Sequence, residues 1–546
     1  MKRTGLALGA LLCAAAIGVL VCMPAGKSET VAPLPAIEEV WNIEDTHTLS
    51  ETPLCTSLTA DGTALGYVPE TGTFYDPIGM DRAEWPEMKL VLPEGVSACF
   101  SDDYAWDSCA DAVAAGNEYH ILFWTETAYC YETIVFTGFP VLSVSCAAAE
   151  EDIGADDIPA QADWLAPEGG LSGYGRIHRR GASSFLTNEL KRGYRLEFTK
   201  RSDGRKKVKR EVPGLGNYDS IVLLPLIQDD TRIREKLSWT LWNQLVGDEE
   251  PFGARAFTYC EFILNGDYLG VYLAFQPFQA EEELEQAGGT RLLTDSLYRT
   301  LVVNLARGKD HVKHPRRANC GIAVYYAPRK GEEYAALSSY LDLVQEVDDT
   351  AFAEKFTRLI DTDSMLRQIL FVQAIGATDN FSSNMYIWAD GVSGKYRYFP
   401  WDLDMSWGTK KDYVGEEYAN WLYFATADHA LNLNIGTLRE DLRTKWHEMA
   451  SGVFSVDNVT QIAEACAHEL NASGAMARDA ARWQKESYEA DPTELLDFYS
   501  IRTGVMDRAV DKIADAQGEV DFLSESKYWL ESGPIFPETE EEGTEE

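Results

Sequence analysis

Between Thr378 and Gly408 the chain reads TDNFSSNMYIWADGVSGKYRYFPWDLDMSWG. Four residues in this stretch could do chemistry: Asp379, Asn384, Asp402 and Asp404. Their carboxylate and amide oxygens are hard donors of the kind that suit magnesium or manganese. Mg²⁺ usually takes only one or two protein carboxylates and fills its remaining positions with water and substrate phosphate, so a small acidic group suffices. The element between these residues makes them neighbours. Asn384–Trp388 and Lys395–Pro400 read as two strands, and Ala389–Gly394 as the turn joining them. In an antiparallel pair, residues equidistant from the turn lie opposite each other. With the turn centred near 391–392, Asp402 falls opposite about residue 381, so segments 379–384 and 401–404 share one end of the hairpin. Asp-Asn and Asp-x-Asp also make turns and helix caps. The hairpin alone therefore leaves open a structural role and a metal-dependent transferase of another kind, such as a glycosyltransferase.

The spacing favours one chemistry. Protein kinases place an Asp, then an Asn five residues later, then a short hairpin, then a metal-binding Asp. Asp379 and Asn384 have that separation, and Asp402 or Asp404 occupies the later place. Asp379 would orient the acceptor hydroxyl. Asn384 and Asp402 would hold the metal, with Asp404 as the alternative ligand.

The elements that must position these residues form an α+β pattern. The main domain begins near Gly173. Tyr194–Thr199 and Lys206–Val212 read as strands around the turn Ser202-Asp203-Gly204, and the basic run Lys200–Arg210 sits on this hairpin. That run is either a solvated tip or a contact for an acidic partner. Residues 230–246 read as an amphipathic helix, with Ile233, Leu237, Leu241 and Leu245 at helical spacing. Phe257–Leu264 and Tyr268–Phe275 flank Asn265-Gly266-Asp267, a hairpin signature in which Asn-Gly supplies positive φ. Helices are expected around 333–346 and 351–376, the second stopped by Gly376. Residues 436–521 read mostly as helices.

Several of these segments, taken with others, resemble the CotH family of spore-coat-type atypical protein kinases. Arg180-Gly181-Ala182-Ser183-Ser184 and Lys191-Arg192-Gly193-Tyr194 are similar to its RG-x-SS and K-x-x-Y elements. Asp230-Thr231-Arg232-Ile233-Arg234, Leu264–Tyr272, Asp379-Asn380 with Asn384, and Pro400-Trp401-Asp402-Leu403-Asp404 follow in the family's order. The similarity covers about residues 173–520. It implies a divergent protein-kinase-like domain, with a hairpin-rich sheet and a helical lobe. It also implies ATP with Mg²⁺ or Mn²⁺ as cofactors, and phosphoryl transfer to the hydroxyl of an unidentified protein phosphoacceptor. By the same resemblance Lys191 contacts the nucleotide phosphates, where its ammonium acts as a point charge. Arg180 and Arg234 are candidates for phosphate or carboxylate contacts. The chain departs from the family in two places. No GxGxxG loop precedes Lys191. Where the family tends to have an acid after the Asn-Gly hairpin, this chain has Phe275-Gln276-Pro277-Phe278-Gln279. The partner of Lys191 is thus left open, with Glu235 as one candidate. A non-catalytic surface or envelope-assembly protein using the same fold for binding is the second reading, favoured by the scarcity of ATP outside the cytoplasm.

The rest of the chain sets the compartment. Its 546 residues are 45% hydrophobic, enough for two or three domains with real cores. A formal net charge of −40 disfavours nucleic-acid binding. Lys2 and Arg3 followed by an apolar run from Gly5 to about Met23 read as an export leader. The alternatives are a cleaved signal, a membrane anchor, or a lipoprotein modified at Cys22; each places the body outside the cytoplasm. The domain plan is a leader over 1–26, a linker over 27–50, a small β-rich module over 51–165, the kinase-like domain over 173–530 and an acidic tail over 531–546. Residues 147–170, rich in alanine, proline and acids, read as a second linker or exposed loop. Cys55, Cys99, Cys109, Cys130 and Cys146 fall in the first third, where disulfides are the natural reading and buried free thiols the alternative.

Overall fold

The computed structural model describes residues 42–520, apart from 61–62, 81–91, 101–107, 182–190, 248–250, 301–321, 381–383, 411–412, 415–421, 423, 425–426 and 485–488. The leader, the acidic tail and Ala182-Ser183-Ser184 lie outside the described residues. Among the described residues no helix is long and apolar enough to cross a membrane. The architecture is mixed α and β, in two compact units. One comprises 1–230, 256–277 and 467–490; the other comprises 231–255, 278–466 and 491–546.

The first unit holds a small sheet and a closed barrel. The sheet runs in the order Gly66–Val68, Thr73–Pro77, Ala128–Thr137, Glu118–Trp124, Ser97–Phe100. Its core gathers Phe74, Phe123, Ile134 and Phe136 with helix Cys109–Ala115. The barrel closes through Ile158–Ala166, Gly169–Arg180, Gly193–Thr199, Ser220–Leu224, Asp267–Phe275, Phe257–Leu264 and Val141–Cys146. Trp164, Tyr194, Leu196, Phe262 and Tyr272 fill it. A smaller cluster of Val68, Tyr75, Val135, Val141, Ile263 and Tyr268 joins sheet to barrel.

Several expectations change here. The stretch 147–170 is not a linker, because Ile158–Ala166 alternates buried and exposed positions and pairs on both edges. The described part of the expected 27–50 linker has a helical turn, Ile43–Thr46, and Thr48–Leu49 paired with Ala128–Tyr129. Strand Gly193–Thr199 does not pair along Lys206–Val212. It meets it at one bridge, Thr199 with Lys207, and pairs instead with Gly169–Arg180 and Ser220–Leu224. The nearer turn over Pro213-Gly214-Leu215 captures Arg210–Val212 in a ribbon with Gly216–Tyr218. The Asn-Gly hairpin forms as expected, with φ of 53° at Asn265 and 82° at Gly266.

In the second unit, helix Arg234–Val246 accompanies a four-stranded antiparallel sheet. Its order is Ile322–Tyr326, Ser296–Thr300, Met385–Asp390, Lys395–Pro400. The expected helix over 351–376 is two, Asp349–Leu359 and Thr362–Ala374. The break comes at Ile360-Asp361, where the Asp361 carboxylate caps Ser364. Of the expected late helices, Leu438–Ser451 and Thr493–Asp515 pack together here, whereas Ala475–Trp483 belongs to the barrel unit.

The described cysteines, Cys55, Cys99, Cys109, Cys130, Cys146, Cys260 and Cys466, are thiols, so the disulfide reading fails. All but Cys146 are buried and pack as small hydrophobes. Burial pushes the Cys55 and Cys99 thiols up to about 11, which suppresses the reactive thiolate. Alkylation of the denatured, unreduced protein should label all seven; a peptide pair linked until reduction would contradict this arrangement.

Candidate functional site: an acidic hairpin and a buried ion pair

The acidic hairpin forms with the strands Met385–Asp390 and Lys395–Pro400, Met385 opposite Pro400. The register places the pairing two residues from the sequence estimate, with the chain ends still adjacent. Beyond the last pair, the Trp401 amide donates to the Asn384 carbonyl at 2.9 Å. Asn380 fastens the same point. Its buried side-chain amide donates to the Asn384 carbonyl at 2.9 Å and to the Trp401 carbonyl at 2.7 Å. Asn380 ends the short turn Thr378–Asn380, which exposes Asp379 beside it. The turn bearing Asp379, Asn384 and the start of the Asp402 segment are thus tied by hydrogen bonds.

From Trp401 to Asp404 burial alternates. Trp401 and Leu403 are buried, while Asp402 and Asp404 are half-buried. The buried residues carry the fastenings. The Leu403 amide donates to Glu235 Oε2 at 2.9 Å, and the Leu403 carbonyl accepts from Ser406 Oγ at 2.6 Å. Glu235 lies in the first turn of helix Arg234–Val246, and its Oε1 accepts from Trp239 Nε1 at 2.9 Å. Trp407 Nε1 donates to Ser238 Oγ at 2.9 Å on the same helix. Asn384 and Asp402 have φ of 48° and 61°, a left-handed conformation that Asn and Asp tolerate better than most residues. Trp407, at 54°, is bulky, and its conformation costs about 1–3 kcal/mol that the surrounding bonds must offset.

The electrostatics favour a cation. Burial pushes the Glu235 carboxyl well above the usual carboxylate range, and the charges of Asp404 and Asp402 push it further. The negative charge of the two aspartates thus holds the buried Glu235 toward its neutral form. Among the described residues no three His, Cys, Asp or Glu side chains form a ready-made metal cage. Asp402, Asp404 and Asn384 carry oxygens of the hard type that magnesium takes, the sparser kind of donor set it accepts.

Lys191 belongs to the barrel unit. It lies two residues before strand Gly193–Thr199, and Arg180 ends the neighbouring strand opposite Gly193. The Lys191 partner is Asp479, not Glu235. Nζ lies 2.6 Å from Asp479 Oδ1 and donates to the Val271 carbonyl at 2.5 Å; the lysine side chain is 1% exposed. Asp479 Oδ1 also accepts from the Val271 amide at 2.9 Å. Nζ sits 4.7 Å from the Tyr272 ring centre. Gly270 makes this possible: a Cβ there would lie 2.1 Å from Asp479 Oδ1. Helix Ala475–Trp483 carries Asp479 and is clamped on both sides. Arg478 forks onto the buried Glu261 at 2.8 and 3.0 Å, and Arg482 donates to the Tyr268 carbonyl. Gln276, standing where an acid was expected, closes the strand end through the Ala256 amide and carbonyl. Arg234 opens the Glu235 helix in the second unit, 3% exposed, with Nη1 3.5 Å from Thr231 Oγ1.

The family model described as CotH kinase protein matches residues 177–506. The chain belongs to the CotH family. It is similar to the inner spore coat protein H of Bacillus subtilis (strain 168), 24% identical over 198 residues. That match covers 35% of this chain and 50% of the relative, so the chain spans about half the length of the curated protein it matches. Asp479 lies within the matched CotH region, as do Lys191, Asp379 and Asp402.

Removing one partner of a buried ion pair leaves an uncompensated charge, at about 3–5 kcal/mol. Asp479→Ala should destabilise the barrel unit by that order in denaturant unfolding; a change under about 0.5 kcal/mol would show that the pair is not structural.

Proposed function

We propose that the chain is an exported phosphotransferase of the CotH type, with a divergent kinase-like fold, that transfers phosphate from ATP to a protein hydroxyl. One observation carries this reading: two half-buried aspartates, Asp402 and Asp404, sit on a backbone fastened to Asn380 and Asn384, beside the exposed Asp379. Asn384 and Asp402 would hold the metal, with Asp404 as the alternative ligand. A bound magnesium or manganese ion would offset phosphate charge there. Asp379, exposed on its turn, orients the acceptor hydroxyl and accepts its proton as phosphate transfers. Lys191, once released from Asp479, and Arg180 would contact nucleotide phosphates, and Arg234 a phosphate or carboxylate. The similarity to an inner spore coat protein supports a location outside the cytoplasm.

A second reading has its own support. Lys191 is buried and satisfied by Asp479 and the Val271 carbonyl, as expected of a structural ion pair. A surface or coat-assembly protein could use the same fold for binding alone. Replacing both partners with apolar residues, Lys191→Met with Asp479→Leu, preserves volume without leaving a buried charge, so it separates the two roles.

The purified chain should transfer labelled phosphate from ATP with Mg²⁺ or Mn²⁺ to itself or to an added acceptor protein. Asp379→Ala and Asp402→Ala should each lower transfer by at least ~100-fold with unchanged circular dichroism. Folded Lys191→Met/Asp479→Leu protein that still transfers phosphate would assign the ion pair to structure alone. Wild-type chain that neither transfers phosphate nor binds ATP with metal would reject the kinase reading.

A further inference from the structure

The basic run plays no part in the proposed chemistry. Residues 200–210 carry seven lysines and arginines against one carboxylate, Asp203, in a chain of net charge −40. Lys200, Arg201, Arg205, Lys206, Lys207 and Lys209 are all exposed. Their backbone is held in place. The Lys200 amide donates to the Lys206 carbonyl at 2.8 Å, Gly204 to Arg201 at 3.1 Å and Val208 to Phe198 at 3.0 Å. Thr199 Oγ1 donates to the Arg201 carbonyl at 2.9 Å. Gly204 is buried where an added Cβ would meet Pro159 and Arg176 at 3.4 and 3.6 Å, and Val208 rests against the barrel core.

A fixed turn that crowds like charges opposes its own stability. The same fixed geometry reduces the conformational entropy lost when a partner binds. The local carboxylates are already shared. Asp203 lies 3.1 Å from Arg201 and 2.8 Å from Arg205. Glu197 lies 2.5 Å from Lys207 and also pairs with Arg176. Each pair joins a carboxylate to a side-chain cation, the chemistry that an acidic polypeptide would extend. The chain itself contains such a segment: Glu538 to Glu546 reads ETEEEGTEE, with six glutamates.

We propose that the Lys200–Arg210 turn docks the glutamate-rich segment 538–546 of a second copy of this chain. At physiological ionic strength the screening length is about 8 Å. General repulsion between two acidic molecules is then damped beyond contact range, while turn and segment attract within it. The proposal is independent of phosphotransfer.

Sedimentation velocity of the full chain tests it. Wild type should self-associate at about 150 mM NaCl and dissociate by about 1 M, as screening shortens to about 3 Å. Lys200→Glu/Lys206→Glu/Lys209→Glu, or Glu540→Lys/Glu541→Lys/Glu542→Lys, should each weaken association at least ~10-fold. Together they should restore it, which a merely misfolded variant could not do. A wild-type monomer at about 150 mM NaCl, association unmoved by either set, or no recovery on combining them would overturn the proposal. So would capture of an anionic polymer without self-association, which would assign the turn to a foreign polyanion.

Discussion

The candidate site depends on a backbone fixed at alternate residues. Trp401 and Leu403 are buried and hydrogen-bonded, while Asp402 and Asp404, each following one of them, are half-buried. Two acceptors of different kinds hold this stretch: the Asn384 carbonyl takes the Trp401 amide, and the Glu235 carboxylate takes the Leu403 amide. Asn380 ties the Asn384 and Trp401 carbonyls with one side-chain amide. The carboxylates of Asp402 and Asp404, two residues apart, repel each other, and together they push the buried Glu235 toward its neutral form. The fastening keeps them together, and a hard cation would relieve the repulsion.

The barrel unit has a separate lock built on opposite charges. Lys191 and Asp479 are both buried, and the approach of Asp479 to strand Asp267–Phe275 requires a glycine at 270. Arg478 and Glu261 repeat the device one residue earlier on the helix. Buried ion pairs are weak sources of net stability but strongly penalise losing one partner. They therefore fix where helix Ala475–Trp483 sits on the barrel more than how stable the barrel is.

Local signals were legible in the sequence. The Asn-Gly turn, the acidic hairpin and helix Arg234–Val246 all declare themselves through turn chemistry or periodicity within about twenty residues. The lysine partner did not, because Asp479 lies 288 positions from Lys191 on a helix without a motif of its own. Gly270 was the available clue, since a glycine within a strand marks close approach by another group. Glu235 was visible as a candidate but given the wrong neighbour, because sequence order cannot show that its carboxylate meets Leu403. Strand Ile158–Ala166 was hidden by the acidic, alanine-rich composition before it, although its own pattern alternates. The barrel closure was also illegible, since the parallel pairing of Val141–Val144 with Glu261–Leu264 joins segments more than a hundred residues apart.

The central claim is that the fastened hairpin is a cation site. Mn²⁺ titration followed by electron paramagnetic resonance, without nucleotide, tests it most directly. Wild type should bind Mn²⁺ with Mg²⁺ as a competitor, and Asp402→Asn should weaken binding at least ~10-fold while keeping the native melting curve. Equal Mn²⁺ binding by wild type and Asp402→Asn, or none by wild type, would contradict the account.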